Sequence, residues 1–448
     1  MIAAESIKGP RGEWFLGNNL EFGRDPLGFL ERCSREFGDV VPMRIGTGVF
    51  YLLNGPADIE AVFTNSKRFV KANLIRNPLM RRISGNGIFL SEGEFWVRQR
   101  RLLQPAFHRD RIAAYAEIMT RYATEVCARW QTTSVVDIRE EMMRLTLAIV
   151  CKALFNSEIG DSRCSEIGDA MEVLTRHFAP SPNFLRIVAG LFLPVGRRHF
   201  EAAARQLDSV IYRLIREHGS PKPDSADLLS MLIRARNEEG EGMTSSQLRD
   251  EVITLLLAGH ETTALVLTWS CYLISQNPEI EARIRDELEA VLGGRMAGFE
   301  DSTRLQYLGK VVKEAMRLYP PVWLTAREML DDNTFGNCTL EKGTQLFVSQ
   351  WIVHRDSRFY TNPHEFNPQR WTEDFVQNLP KFAFFPFGGG PRVCIGQSFA
   401  MLEIILVLAA IFQKWSLRLC PGQEILPHPS LTLRPKGPVQ MLVEKRAT

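Results

Sequence analysis

Phe384-Phe385-Pro386-Phe387-Gly388-Gly389-Gly390-Pro391-Arg392-Val393-Cys394-Ile395-Gly396 is the stretch on which the reading of this chain turns. Three consecutive glycines free the backbone to turn tightly and to come close to a flat ligand. Helical patterning starts at Ile395 and runs to Trp415. Cys394 therefore sits where a helix begins, and that helix's positive end and free N–H groups favour a thiolate. Arg392 adds positive charge nearby. Gly396 and Ala400 are small and four apart, which leaves one helix face room for a macrocycle. A phosphate loop would need Lys followed by Ser or Thr after the glycines, and none follows. A cysteine nucleophile would need a base close in space. No local Cys-His pattern supplies one, although spatial adjacency stays open, as does a structural cysteine in a glycine-rich turn.

Outward from this loop the chain reads as mainly helical. Asp25–Phe37 has the pattern of a capped amphipathic helix, Val40–Leu53 alternates around Gly46-Thr47-Gly48 as a hairpin, and Pro56–Thr64 is a short helix. Residues 65–91 lack a period and read as a long loop of functional type. Helical patterns run with breaks from Glu92 to about residue 318; the break Ala179–Val195 is apolar and reads equally as a lid or a buried connector. Thr244–Gln276 is the longest helical stretch, and its Val252–Ala258 portion is apolar enough to cross the core. Short strands are expected at Thr344–Val348 and near the C-terminus. Neither repeats nor linkers interrupt this pattern, so residues 1–448 are expected to form one domain.

The 448 residues carry 54 Lys+Arg against 52 Asp+Glu, a net charge of +2 that gives nucleic acid no electrostatic hold. Eight scattered cysteines without a C-x-x-C pair exclude a disulfide framework or zinc site and suit a reducing cytosol. The start, MIAAESIKGPRGEWFLGN, lacks the apolar stretch of a signal peptide. The longest apolar run, Ile404–Phe412, is short of the ~18 residues that span a bilayer. A cytoplasmic monomer without a transmembrane segment is the expectation.

The cysteine loop resembles the F-x-x-G-x-R-x-C-x-G motif of the cytochrome P450 superfamily, with Phe387, Gly390, Arg392, Cys394 and Gly396 in the fixed places. The resemblance implies a triangular helical prism with small sheets, enclosing haem b with Cys394 as the iron ligand. Pro386, Phe387, Gly388, Val393, Ile395, Gly396 and Ala400 would lie against that haem. Ala258-Gly259-His260-Glu261-Thr262-Thr263 is similar to the family's oxygen-binding groove. Ala258 and Gly259 would then border the haem, Thr262 would hydrogen-bond dioxygen, and Glu261 would feed protons inward from solvent. By itself Thr262 reads as back-bonding to a carbonyl one turn earlier, and His260 reads as packed or solvated. Glu314-Ala315-Met316-Arg317 resembles the E-x-x-R motif, with Arg370 completing a buried triad; in isolation the pair would be worth little.

Trp96 and Arg100 match the W-x-x-x-R helix, and with Arg392, Arg327 and His354 they are the implied partners of the haem propionates. Arg98 and Arg101 would face out and, with Lys381, offer an acidic electron donor a basic patch. The short remainder after the last helix leaves no room for a reductase, so a separate ferredoxin- or flavodoxin-type donor is implied. The expected reaction inserts one atom of dioxygen into an apolar small molecule such as a fatty acid, terpenoid or steroid. The candidate pocket is residues 70–90 and 179–195, Leu257, Val322–Leu324 and the turn near Leu431. A haem-thiolate isomerase or peroxide-driven peroxygenase is the alternative, against which the intact Glu261-Thr262 pair stands. A non-catalytic haem sensor is the second.

Overall fold

A computed structural model describes residues 2–3, 7–45, 48–73, 75–158, 160–178, 194–219, 227–235 and 242–446. The long helix, Ser245–Ser275, starts at a capping box: Thr244 Oγ1 accepts from Gln247 N, and Gln247 Oε1 accepts from Thr244 N at 2.9 Å. Two orphan N–H groups are satisfied there, which fixes where this helix begins. Beyond its first turns it is apolar nearly all round, so it must be wrapped on every side. It packs against Ile138–Phe155 and Gln397–Lys414, and the latter packs in turn against Arg109–Arg129. Leu256, Leu267, Ile149, Val150, Leu406 and Phe412 are among the fully or almost fully buried side chains of this cluster. Each contributes about 1.5–3 kcal/mol by leaving water.

The largest sheet has five strands in the spatial order Val40–Ile45, Gly48–Leu53, Gln345–Val348, Thr325–Met329, Phe69–Lys71. Only the pairing of Gly48–Leu53 with Gln345–Val348 is parallel. This sheet brings residues 40–71 together with residues 325–348, and its edge strand pairs Lys71 directly with Arg327. Near the C-terminus, Trp415–Leu419 pairs with Gln440–Lys445, and Pro427–Pro429 with Leu433–Pro435.

Several sequence expectations shift. Residues 65–91 are not one loop: they contain the strand Phe69–Lys71 and the helix Pro78–Ser84. Both were illegible because they are short and stabilised by distant partners. The final helix runs Gln397–Lys414, so Cys394 precedes it by three residues. Ala179–Val195 lies, except for its last two residues, outside the described residues, as does the turn at residues 46–47. Among the described residues two helices, Ser245–Ser275 and Gln397–Lys414, are long and apolar enough to cross a membrane, although the longest unbroken apolar run is only Ile404–Phe412. Their apolar windows are 78% and 61% buried inside the protein, as core helices are.

Candidate active site

Cys394 is held by its loop before any helix acts on it. Its N–H donates to Phe387 O at 3.0 Å, and Phe387 is thereby fixed beside it. Gly388 and Gly390 adopt positive φ (71° and 65°). A Cβ on Gly390 would come within 2.1 Å of Phe63 O. The close approach that requires this glycine is thus to the neighbouring helix Pro56–Thr64, not to a flat ligand. Cys394 is exposed although burial is the largest influence on its thiol and pushes it up. Such a thiol lies on an interior wall. The Gly396 N–H and the Arg100 guanidinium pull it back down. Hence the groups that favour charge on the sulfur are the N–H of Gly396, the residue capping that helix, and the positive charge of Arg100. Gly396 and Ala400 are half-buried on that helix's entry, as are Pro386, Gly388, Val393 and Ile395 along the loop.

Behind the loop stands a buried anchor. Glu314 and Arg317 are both fully buried. The Glu314 carboxylate accepts from Arg317 Nε and Nη2 (2.8 Å each), Arg370 Nε (2.9 Å), Asn367 N (3.0 Å) and Trp371 Nε1 (2.9 Å). Arg317 donates onward to the carbonyls of His354, Pro363 and Glu365. His354 Nε2 then accepts from Phe385 N at 3.0 Å, inside the cysteine loop. Tyr360 Oη holds Ala383 O at 3.0 Å. The ring of His354 lies against Phe384 and Phe385 and is wholly buried. Burial, with Arg317 and Arg355 beside it, keeps its basicity far below that of an ordinary histidine. This corrects the expectation that His354 meets a propionate: it is a neutral strut between the anchor and the loop.

A second feature is an excess of positive charge. Lys71 and Arg327 are opposite one another across paired strands and are both buried. Arg392 adds a third cation close to both. Arg392 stacks over Trp96 (4.4 Å to the ring centroid), donates to Ser91 O at 3.0 Å and pairs with Glu92. Arg100 donates to Val393 O at 2.8 Å. Among the described residues no ion pair reaches Lys71, Arg327 or Arg100, and Glu92 is the one carboxylate set against the group. Burial, then Arg327 and Arg392, holds Lys71 well below an ordinary lysine; burial and Arg392 hold Arg327 at about 10. Like charges directly opposite on paired strands destabilise each other unless an anion joins them. A flat group bearing two carboxylates and a metal for the Cys394 sulfur satisfies both features, so the residues fit a haem. Lys71 was missed in the sequence because its stretch has no period; only its register opposite Arg327 reveals it.

On the long helix, Ala258 is exposed while Leu257, Gly259 and Thr262 are half-buried, in a stretch whose neighbours are buried. They mark the side of the helix that opens onto a space. Thr262 Oγ1 donates to Ala258 O at 2.6 Å, the back-bonding the residues themselves suggested. Glu261 differs from expectation. It is buried, accepts from Thr432 Oγ1 at 2.7 Å and is paired with Arg434, so it faces the C-terminal hairpin instead of solvent. His260 is buried, and burial lowers it to about 4. The turn 430–433 is bonded to both sides of the site: Trp269 Nε1 donates to Leu433 O (3.1 Å) and Trp323 Nε1 to Ser430 O (2.8 Å). It therefore brings Val322 and Leu431, both partly exposed apolar residues, towards the long helix at Glu261. The loop after Pro78–Ser84 is seated on the same helix, where Asp250 accepts from Asn86 N (2.8 Å) and Glu251 from Ile88 N (3.0 Å). Arg98 and Arg101 face out as expected, but Lys381 is paired with Glu60 at 2.6 Å and adds little free charge.

Residues 7–443 match the family model described as Cytochrome P450. Cyclooctatin synthase from Streptomyces melanosporofaciens is 36% identical over 440 residues, covering 98% of this chain and 95% of that one. Cyclooctat-9-en-7-ol 5-monooxygenase of the same organism is 34% identical, with 96% and 93% covered. Pentalenene oxygenase from Streptomyces avermitilis is 31% identical, with 92% and 91% covered.

Proposed function

Because this chain belongs to the cytochrome P450 family, we propose that Cys394 is the proximal thiolate of a monooxygenase acting on a cyclic terpenoid hydrocarbon or alcohol. The family binds haem through a cysteine thiolate and uses apolar substrates, dioxygen and separate redox partners. The relatives named for cyclooctatin, cyclooctat-9-en-7-ol and pentalenene support the substrate class. The single observation that carries the site is the accessible Cys394 thiol two residues from Arg392, a member of a cation group with Lys71 and Arg327 that lacks enough carboxylates.

Haem, when bound, supplies reduction of dioxygen, its thiolate ligand favouring O–O cleavage. Lys71, Arg327 and Arg392 neutralise the propionates, and Arg100 with the Gly396 N–H stabilises negative charge on Cys394 Sγ. Trp96 supports the Arg392 guanidinium from below. Ala258 and Gly259 keep the helix face low enough for the macrocycle. Thr262 exchanges its bond to Ala258 O for one to the oxygen substrate and passes a proton at Oγ1. Glu261 resupplies that proton by leaving Thr432 and Arg434, taking one up from solvent and handing it on to Thr262 Oγ1. Leu257, Val322, Trp323 and Leu431 offer aliphatic and aromatic contacts and no charge.

The electron donor, a ferredoxin or flavodoxin in the cytosol, meets the monomeric enzyme on the cysteine side. Arg98 and Arg101 offer it positive charge there. A groove of about 590 Å³ lined by Phe107, Arg109, Phe299, Ser398 and Met401 offers it a seat. The deciding experiment is the spectrum of the reduced, carbonyl-bound protein. The red-shifted band of a thiolate haem is expected, and Cys394→His is expected to lose it. Persistence of the band in that variant overturns the assignment.

A further inference from the structure

Residues 11–15 form an exposed tip at the start of the chain. Trp14 is 90% and Phe15 74% exposed, the two most exposed large apolar side chains among the described residues. Single apolar residues on a surface need no explanation, but two adjacent aromatics held in water do. They are not on a loose tail. Glu13 and Gly17 exchange both backbone hydrogen bonds at 2.8 Å, which closes a small loop around Trp14, Phe15 and Leu16. Gly17 has φ +56° and lies so close to Arg44 that a Cβ would come within 2.6 Å of Arg44 Cβ. Asn18 N donates to Arg44 O (2.8 Å), Arg44 N to Asn18 Oδ1 (2.9 Å), and Arg44 Nη2 to Trp14 O (3.2 Å). Asn19 Nδ2 caps Leu16 O at 2.6 Å. The fold thus uses a strained glycine position and a set of hydrogen bonds to the sheet to hold this pair outward.

The charge around the tip selects the occupant. Lys8, Arg11 and Arg44 are exposed in this stretch and its sheet partner; of the exposed glutamates among the described residues there, Glu21 is paired with Arg32, which leaves Glu13. The tip is convex, so a protein partner would have to bring a matching pocket, whereas the headgroup region of a bilayer yields to a Trp-Phe pair. We propose that this loop docks the enzyme peripherally on anionic lipid surfaces, the aromatic pair entering the headgroup layer and the cations pairing with lipid phosphates. The docking does not depend on the substrate assignment, although an apolar substrate dissolves in the same phase.

The test is sedimentation of the haem-loaded chain with extruded vesicles of phosphatidylcholine alone or of phosphatidylcholine and phosphatidylglycerol in equal parts. Binding to the anionic vesicles is expected at low salt, with weak binding to the neutral ones and release as salt rises. A blue shift of tryptophan emission should accompany binding. Trp14→Ser/Phe15→Ser should abolish both, with the carbonyl band of the haem unchanged as the check on folding. Lys8→Glu/Arg11→Glu, which leaves the aromatic pair in place, should lose the preference for anionic vesicles. Wild-type protein that ignores both vesicle types, or a double serine variant that binds as well as wild type, overturns the proposal. So does self-association through the tip without vesicle binding.

Discussion

Replacing Lys71 with Met should act in opposite directions on the haem-free and haem-loaded protein. In the fold Lys71 lies directly across from Arg327, both are buried, and Arg392 is close to each. Its backbone N–H, not its ammonium, meets Glu92, and the ammonium is 4.0 Å from the Phe89 ring centroid. Without an anion, removing one of two facing like charges should stabilise the chain, on the scale of about 0.2–1 kcal/mol for a cross-strand pair. With haem in place, the same change removes a charge-assisted hydrogen bond worth about 1.5–3 kcal/mol. That is roughly ten- to a hundred-fold in haem affinity at 1.4 kcal/mol per factor of ten. The assay pairs thermal unfolding of the extracted, haem-free chain with the rate of haem transfer to an excess of an apo-globin acceptor. Lys71→Met should melt higher when haem-free and release haem faster, whereas Lys71→Arg should keep the wild-type release rate. Wild-type release by Lys71→Met, or a haem-free chain that melts lower, refutes the assignment of Lys71 to a propionate.

Glu314→Ala removes the acceptor of five hydrogen bonds and strands Arg317 in the interior, a loss of about 3–5 kcal/mol; purified protein should be depleted of haem, and full occupancy by absorbance counts against the anchor. Thr262→Ala should still consume reductant but release much of it as peroxide, and a tightly coupled variant excludes Thr262 from proton transfer. Glu403 is fully buried, and neither of its carboxylate oxygens has a hydrogen-bond partner among the described residues. Burial raises its pKa well above an ordinary glutamate, so the folded chain keeps a proton that the unfolded chain releases. Stability is therefore full below the unfolded value of about 4.3 and declines as pH rises towards the raised folded value. Glu403→Met should flatten that decline and, at neutral pH, stabilise by about 1–3 kcal/mol; denaturant melts across pH that keep the wild-type slope would disprove it.

The parts of this protein that could be read in advance are those whose signal is local. Thr244 and Gln247 announce the start of the long helix within four residues, and the glycines, Arg392 and Cys394 sit in one short loop. Glu314, Arg317 and Arg370 were recognisable through family resemblance, but Trp371 Nε1 as a further donor to Glu314 was not, since an indole carries no motif by itself. Lys71 and Arg434 escaped because their meaning comes from partners far away in the chain, Arg327 by strand register and Glu261 by an ion pair. His354 was found but misplaced. A histidine beside Arg355 and Asp356 reads as a charged-site residue until burial and the Phe385 N–H show it to be neutral.

Arg317 reaches the backbone oxygens of His354, Pro363 and Glu365, and Arg370 those of Thr361 and Asn362. These guanidinium groups read the path of the segment 354–365 and, apart from the Tyr360 ring against Arg317, ignore its side chains. Over evolutionary time that segment is free to change composition while the scaffold under the cysteine loop keeps its shape. Sequence drift between distant relatives should therefore be high across Ser357–Glu365, outside Tyr360, and low at the two arginines, the glutamate and the tryptophan that hold the course of the chain. Exchange of this stretch alone between relatives would succeed, since Glu314 and Arg370 then stay with their own lineage, whereas a single crossover inside it separates the pair and would fail where the two lineages position it differently.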